Sequence, residues 1–79
     1  MSTESYYSIP KFTIADRLRK AREVAQLEQI ELAERMGVSR GTVSNNETGR
    51  VEPREIVIRA WALATGVDAD WIRTGIRPE

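Results

Sequence analysis

The stretch of residues 32–47 constrains the fold more than any other part of the chain. It predicts two short helices joined by a tight turn at Gly37, because glycine readily adopts the left-handed conformation that ends a helix. Apolar residues recur at helical spacing before the turn, and two valines follow it. The positions expected to face inward are Leu32, Ala33, Met36, Val38 and Val43. The second helix then has an outer face that the first does not cover.

That outer face carries only small or polar residues. They are Arg40, Gly41, Thr42, Ser44 and Asn45. A short helix with a polar outer face, held by its neighbour across a tight turn, is the arrangement that places a helix in the DNA major groove. We therefore expect a helix-turn-helix, with these five residues as candidate contacts to DNA bases.

The composition excludes several classes of function. The chain has 79 residues, enough for one small domain, and contains neither cysteine nor histidine. Disulfides and thiolate metal sites are ruled out, and the commonest general base is missing. We expect no enzyme activity, no metal and no cofactor. No stretch has the pattern of a membrane span or a signal peptide, so a cytoplasmic protein is expected.

The charges balance, with 12 Lys and Arg against 12 Asp and Glu. A DNA-binding domain is expected to be basic because it neutralises phosphates, so the distribution matters more than the sum. Basic residues concentrate in residues 11–22 and 35–50, and acidic residues in residues 28–34 and near the end. This pattern fits one basic and one acidic face, but it also fits mixed charges that merely solvate the surface.

Local signals divide the chain into an arm, a domain and a tail. Residues 1–11 lack periodicity and are expected to form a flexible arm. Residues 12–76 are expected to form one all-α domain of five helices, and residues 77–79 a short tail. No alternating pattern predicts a strand.

The first three helices have clear boundaries in the sequence. Thr13 and Asp16 have the spacing of a capping box at the start of the first helix. The second helix is expected over about residues 29–36. Ser39 is expected to cap the third, which runs to about Glu47.

The last two helices are predicted from proline, glycine and apolar positions. Pro53 is expected in the first turn of the fourth helix, which ends at Gly66. Trp61 is expected in the core. The other positions expected to face inward on this helix are Ile56, Ala60, Leu63 and Ala64. Asp68 is expected to cap a short fifth helix that ends near Gly75.

These motifs together resemble the Cro/C1-type, or XRE-like, helix-turn-helix domain of phage repressors and their bacterial relatives. The matching elements are Gln29, Leu32-Ala33, Gly37-Val38-Ser39, Ser44, Glu47 and Gly49. The resemblance extends over residues 14–75, and residues 61–75 look like the end of small repressors from actinobacterial phages. It implies a compact five-helix fold like that of lambda repressor, with the helix-turn-helix at the second and third helices.

The resemblance also implies roles for individual residues. Gln29 would bind a DNA phosphate from the N-terminus of the second helix, and Arg22 would form a structural ion pair with Glu47. Other phosphate contacts are expected from Ser39, Arg22, Thr48 and Arg50. Asn46 departs from the family pattern, where that position is frequently apolar. It is expected either to be partly buried with a hydrogen bond or to loosen the end of the third helix.

Base recognition is assigned to the third helix. Arg40 is the best candidate, because arginine pairs with guanine through two hydrogen bonds, and Asn45 one turn later suits adenine. Thr42 and Ser44 suit a base or a phosphate. Gly41 offers no side chain, which weakens recognition of one base pair, lets the backbone approach DNA closely, or reflects neutral drift.

The expected function is a sequence-specific transcriptional regulator, most plainly a phage-type repressor in a bacterial host. One small domain reads few base pairs, so we expect a homodimer on a palindromic operator in double-stranded DNA. The expected dimer surface comprises Val51, Trp71, Ile72 and Ile76. No small-molecule ligand and no membrane partner are expected. The alternatives are a protein-binding antitoxin or antirepressor, and an accessory DNA-bending factor.

Overall fold

The computed structural model describes residues 12–77, which contain five α-helices and no strand. The predicted arm at residues 1–11 and the last two residues of the predicted tail lie outside the described residues. The predicted all-α, five-helix fold is confirmed. The helices are α1 (Ile14–Val24), α2 (Gln29–Met36), α3 (Arg40–Glu47), α4 (Glu55–Thr65) and α5 (Ala69–Thr74).

Side chains cap four of the helix starts, and at α2 the Glu31 carboxylate accepts a hydrogen bond from the Glu28 N–H at 2.8 Å. The Thr13 hydroxyl accepts a hydrogen bond from the Asp16 N–H at 3.2 Å, and the Asp16 carboxylate accepts one from the Thr13 N–H at 3.0 Å, which completes the predicted capping box. These bonds to Thr13 lower the pKa of Asp16. Ser39 caps α3 through the Thr42 N–H at 3.1 Å. Asp68 caps α5 through the Trp71 N–H at 2.9 Å.

The turn between α2 and α3 depends on Gly37. Its backbone is left-handed, with φ of 71° and ψ of 30°. In this conformation the Val38 N–H reaches the Ala33 carbonyl at 3.0 Å, which satisfies one of the free carbonyls at the end of α2. A side chain at Gly37 would meet no neighbouring atom within 4 Å, so the requirement for glycine is one of backbone conformation alone.

The core receives one fully buried large side chain from each helix. They are Leu18, Leu32, Val43, Trp61 and Ile72. The Trp61 indole N–H donates a hydrogen bond to the Leu18 carbonyl at 2.9 Å, which satisfies the one polar atom of that buried ring. α2 packs against α3, and α3 packs on α1, while α4 contacts α1, α2 and α5. The inner side of α3 is thus supported by α1.

The prediction for α4 was partly wrong. Pro53 precedes the N-cap residue Arg54 and lies outside the first turn. Ile56 and Leu63 are exposed by 74% and 88%, whereas Ile58 and Trp61 face the core. Each exposed residue lies two positions from a buried one, and two positions rotate a helix by about 200°. The helix is apolar on both sides, so periodicity alone did not select the buried side.

The place of α5 also corrects the prediction. Ile72 is fully buried and belongs to the core, so it cannot form part of a dimer surface. Arg17 fastens this helix to α1, because its guanidinium donates to the carbonyls of Phe12, Ile72 and Arg73 at 2.7, 2.8 and 3.1 Å. Arg17 therefore satisfies the free end of α5 and contributes little to a basic DNA-facing surface.

Candidate nucleic-acid interface

The two sides of α3 differ sharply in burial. Val43, Asn46 and Glu47 are buried, which turns the opposite side of the helix outward. Arg40, Gly41 and Thr48 are exposed, and Ser44 and Asn45 are half-buried. The structure therefore brings four of the five predicted base contacts and one predicted phosphate contact together on this outward side.

Thr42 lies apart from the other predicted base contacts. Its hydroxyl is 3.0 Å from the Ser39 hydroxyl, at the N-terminal end of α3. Both side chains therefore cap the first turn. A DNA contact from either hydroxyl would have to share it with this internal hydrogen bond.

A buried ion pair holds α3 to α1. Arg22 donates from Nε to Glu47 Oε2 at 2.6 Å and from Nη2 to Glu47 Oε1 at 3.0 Å. The two side chains are exposed by only 13% and 3%. These hydrogen bonds to Glu47 raise the pKa of Arg22. The pair expected from the resemblance is thus present, and its two-point geometry fixes the rotation of α3 on α1.

Two predicted phosphate-binding residues take part in this arrangement. The Gln29 side chain donates to Glu47 Oε1 at 3.1 Å, and Arg22 also donates to the Leu27 carbonyl at 2.9 Å. Arg22 thus uses three of its five N–H groups internally. A phosphate contact from Arg22 or Gln29 would have to use their remaining N–H groups, and it stays a prediction.

The starts of α2 and α3 surround one open cleft. Its lining comprises Arg22, Glu28, Gln29, Ile30 and Arg40. The N-terminus of α2 faces this cleft from one side, and Arg40 faces it from the other. No carboxylate of residues 12–77 lies within 4.0 Å of the Arg40 guanidinium. The cleft therefore combines a cation and a helix N-terminus, which both attract anions, with the Glu28 carboxylate, which opposes that attraction.

The fold itself does not require glycine at position 41. A β-carbon added to Gly41 would lie 3.7 Å from the Ser39 hydroxyl oxygen, which is an ordinary van der Waals contact. Gly41 also lies within α3 and has no left-handed backbone. The absence of a side chain at this outward position therefore has no cause within the described part of the domain.

The loop after α3 is tied back to the helix. The Thr48 hydroxyl donates to the Ser44 carbonyl at 3.0 Å, and the Val51 N–H donates to the Asn45 carbonyl at 3.2 Å. Asn46 is buried, and its Nδ2 donates to the Val51 carbonyl at 3.2 Å. Of the two expectations for Asn46, the buried one with a hydrogen bond is correct. Arg50 is exposed and lies in the sequence between Thr48 and Val51, which are both hydrogen-bonded to α3.

The remaining predicted dimer residues are at least partly exposed. Val51 and Ile76 are exposed by 48% and 70%. Trp71 is half-buried and lines a groove along α1 with Phe12 and the stem of Arg19. The sequence also missed the exposed apolar side of α4, because the same residues had been assigned to the core.

Lys11 lies outside the described residues, and the basic side chains of residues 12–22 do not form one basic face. Arg17 caps α5, Arg22 is paired with Glu47, and Arg19 lies 4.0 Å from Asp16. The partners of these arginines lie in other helices or one helical turn away. Nothing in the sequence around Arg17 distinguishes it from a solvated arginine.

Within residues 12–77 no cluster of acidic side chains is arranged to hold a metal ion. No helix there has the length and apolar character needed to cross a bilayer.

A short helix with a polar outer side, locked by a buried ion pair and reached through a left-handed glycine turn, defines a helix-turn-helix DNA-binding domain. The family model for the helix-turn-helix matches residues 18–72. The chain therefore belongs to the Cro/C1-type helix-turn-helix family, whose members are DNA-binding transcription regulators that bind double-stranded DNA. Searches of curated proteins and of solved structures each gave no match.

Proposed function

We propose that the protein is a phage-type transcriptional repressor that binds an operator through α3 in the major groove. The observation that carries the proposal is the outward side of α3, where Arg40 has no ion-pair partner among residues 12–77 and adjoins the N-terminus of α2. An α-helix with its side chains is about 10–12 Å across, which fits the width of the major groove, about 12 Å. The ion pair behind α3 supports a fixed docking angle.

Base recognition is assigned to the residues along this side. Arg40 pairs with a guanine, Asn45 pairs with an adenine one turn further along, and Ser44 contacts a base or a phosphate between them. Gly41 brings the backbone of α3 close to the base edges. Phosphate contacts come from Gln29 at the start of α2 and from Ser39, Thr48 and Arg50 at the two ends of α3.

The repressor acts as a twofold-symmetric homodimer. A single α3 reads only a few base pairs, so specific affinity requires a second half-site one helical turn away. The exposed apolar side chains of Val51 and Ile76, with Trp71, supply the dimer surface. Bound across a promoter, the dimer excludes RNA polymerase by occupying its site.

Selection from a random pool of double-stranded DNA tests the proposal. We expect enrichment of a palindrome at low salt, and Arg40→Ala should weaken binding to the enriched site by about 1–3 kcal/mol and relax preference at one position per half-site. Arg59→Ala is the matched control, because Arg59 is exposed on α4 away from α3. A pool without enrichment, or equal losses in the two variants, would overturn the assignment.

The second candidate function is a protein-binding module such as an antitoxin or an antirepressor. The exposed Ile56 and Leu63 on one side of α4, together with the zero net charge, favour it. Wild-type protein that enriches no DNA at low salt would support this candidate over the repressor.

A further inference from the structure

Asn46 is an unusual residue to find inside this core. It lies near the end of α3, and only 3% of it is exposed. Buried amides normally use most of their hydrogen-bonding atoms. Here Nδ2 donates to the Val51 carbonyl at 3.2 Å, whereas Oδ1 has no donor among residues 12–77. The amide therefore contributes one hydrogen bond, and that bond is directed to the loop.

With this bond, both the N–H and the carbonyl of Val51 are hydrogen-bonded to α3. The Val51 N–H already donates to the Asn45 carbonyl at 3.2 Å, so both backbone polar groups of Val51 are tied to α3. The four residues between Asn46 and Val51 form a closed turn, in which Gly49 takes a left-handed φ of 77°. Arg50 directly precedes Val51, so the direction in which Arg50 leaves the loop is set by these two bonds.

The core gains little from an amide at this position. An aliphatic side chain of similar volume would fill the same space without burying an unpaired oxygen, and burial of such an atom is unfavourable. The one contact that leucine could not replace is the hydrogen bond to the Val51 carbonyl. The role of the amide therefore belongs to the loop and its exposed arginine.

We infer that Asn46 is a positioning residue that holds the loop after α3 so that Arg50 reaches a DNA phosphate. The inference rests on the proposed function, since Arg50 has no positioning task without DNA. It assigns to Asn46 an effect on DNA affinity that acts through Arg50, although Asn46 itself is shielded from the ligand.

A double-mutant cycle on DNA binding tests this inference. The probe is the enriched operator duplex, and the readouts are the dissociation constant and its dependence on salt. We expect Arg50→Ala and Asn46→Leu each to weaken binding by about tenfold and to reduce the salt slope by about one unit per protomer. In the Arg50→Ala background, Asn46→Leu should change the affinity for DNA by less than about twofold, because Asn46 acts on DNA only through Arg50.

Two further measurements separate positioning from loss of stability. Thr65→Ala is the matched control, because it removes a side-chain hydrogen bond to the Trp61 carbonyl at the far end of α4. It should leave the salt slope unchanged. The amide proton of Val51 should exchange faster in Asn46→Leu and at the normal rate in Thr65→Ala. If Asn46→Leu does not fold, Asn46→Ala removes the same donor without adding bulk or a buried charge.

The possible failures can be told apart. Wild-type protein that binds no DNA overturns the proposed function and this inference with it. Wild-type binding combined with additive effects of Asn46→Leu and Arg50→Ala overturns the inference alone. So does an unchanged salt slope in Asn46→Leu.

Discussion

Glu47 is the residue on which the geometry of the motif depends most directly. Its carboxylate is almost fully buried and accepts hydrogen bonds from Arg22 Nε and Nη2 and from Gln29 Nε2. Three donors on two other helices thus converge on one side chain of α3. A charge with so little access to water is stable in the core only while these donors are in place.

Removal of this carboxylate should therefore destabilise the fold strongly. We expect Glu47→Ala to lower the free energy of unfolding by about 3–5 kcal/mol, because it leaves the Arg22 guanidinium half-buried and unpaired. Urea unfolding followed by tryptophan fluorescence measures this loss. Glu55→Ala is the control, since its partner Arg73 lies at the surface and the loss should be much smaller. Similar losses in the two variants would show that the buried ion pair contributes no more to the free energy of unfolding than the surface pair does.

Gly41 should show opposite effects on stability and on binding. Alanine fits at this position and is the better helix former, so Gly41→Ala should stabilise the domain by about 0.5–1 kcal/mol. The same methyl group should weaken operator binding, because it holds the backbone of α3 away from the base edges. Thermal unfolding and operator titration of one preparation measure both effects. Unchanged affinity would mean that the glycine has no role in close approach.

At the scale of helices, the sequence predicted what local interactions determine. The caps Thr13, Ser39 and Asp68 act within one turn, so the starts of α1, α3 and α5 were predictable. Trp61 was predicted in the core, but which other residues of α4 join it depends on the packing of α4 against α1, α2 and α5, which are distant in sequence or approach it only in the fold. For the same reason no local signal distinguished Arg17 as the cap of α5.

The candidate site likewise contains features that the sequence predicted and features that it did not. The resemblance named Arg22 and Glu47, and the outer side of α3 followed from the inward positions on either side of Gly37. The involvement of Gln29 in the same ion pair, and the hydrogen bond from Asn46 to Val51, could not be predicted. Both depend on how closely α2 and the loop approach α3 in space.

Two lowered carboxyl pKa values make the helix starts sensitive to acid. The hydrogen bonds from Thr13 lower the pKa of Asp16, and the hydrogen bonds from Arg73 lower the pKa of Glu55. A carboxyl with a lowered folded-state pKa stabilises the fold fully above its unfolded value, and this contribution is lost as pH falls through the folded value. Since the ordinary values are 3.8 and 4.5, stability should decrease below about pH 4.5.

The urea midpoint, measured at steps between pH 7 and pH 3, checks this expectation. Asp16→Asn should remove part of the slope, because asparagine keeps an acceptor for the Thr13 N–H but does not titrate. Lys20→Gln is a charge-changing control on the same helix. A wild-type midpoint that stays constant down to pH 3 would contradict a stabilising role for these carboxylates.

At the scale of the whole molecule, the charges limit what one copy can do. Net charge is zero, and several of the arginines are already paired or used as caps. Because the charges balance overall, nonspecific attraction to DNA should be weak. A second copy doubles both the phosphate contacts and the base contacts. Dimerisation is therefore the step that should determine operator affinity.

The position of the proposed dimer surface can be tested with two glutamate substitutions. Val51 directly follows the turn after α3, and a contact there leaves both copies of α3 on one side of the dimer. The exposed side of α4 belongs to a helix that packs on α1, α2 and α5, so pairing through it would direct the two copies of α3 differently. We therefore expect Ile76→Glu, which alters the same proposed dimer surface as Val51, to abolish dimerisation on DNA and to weaken full-operator binding by about a hundredfold, since the gain from linked sites is lost. Leu63→Glu, which places the same charge on the α4 side, should bind normally.

Sedimentation of each variant with full-operator and half-site duplexes distinguishes the two surfaces. The reverse result, with Leu63→Glu monomeric and Ile76→Glu intact, would place the interface on α4.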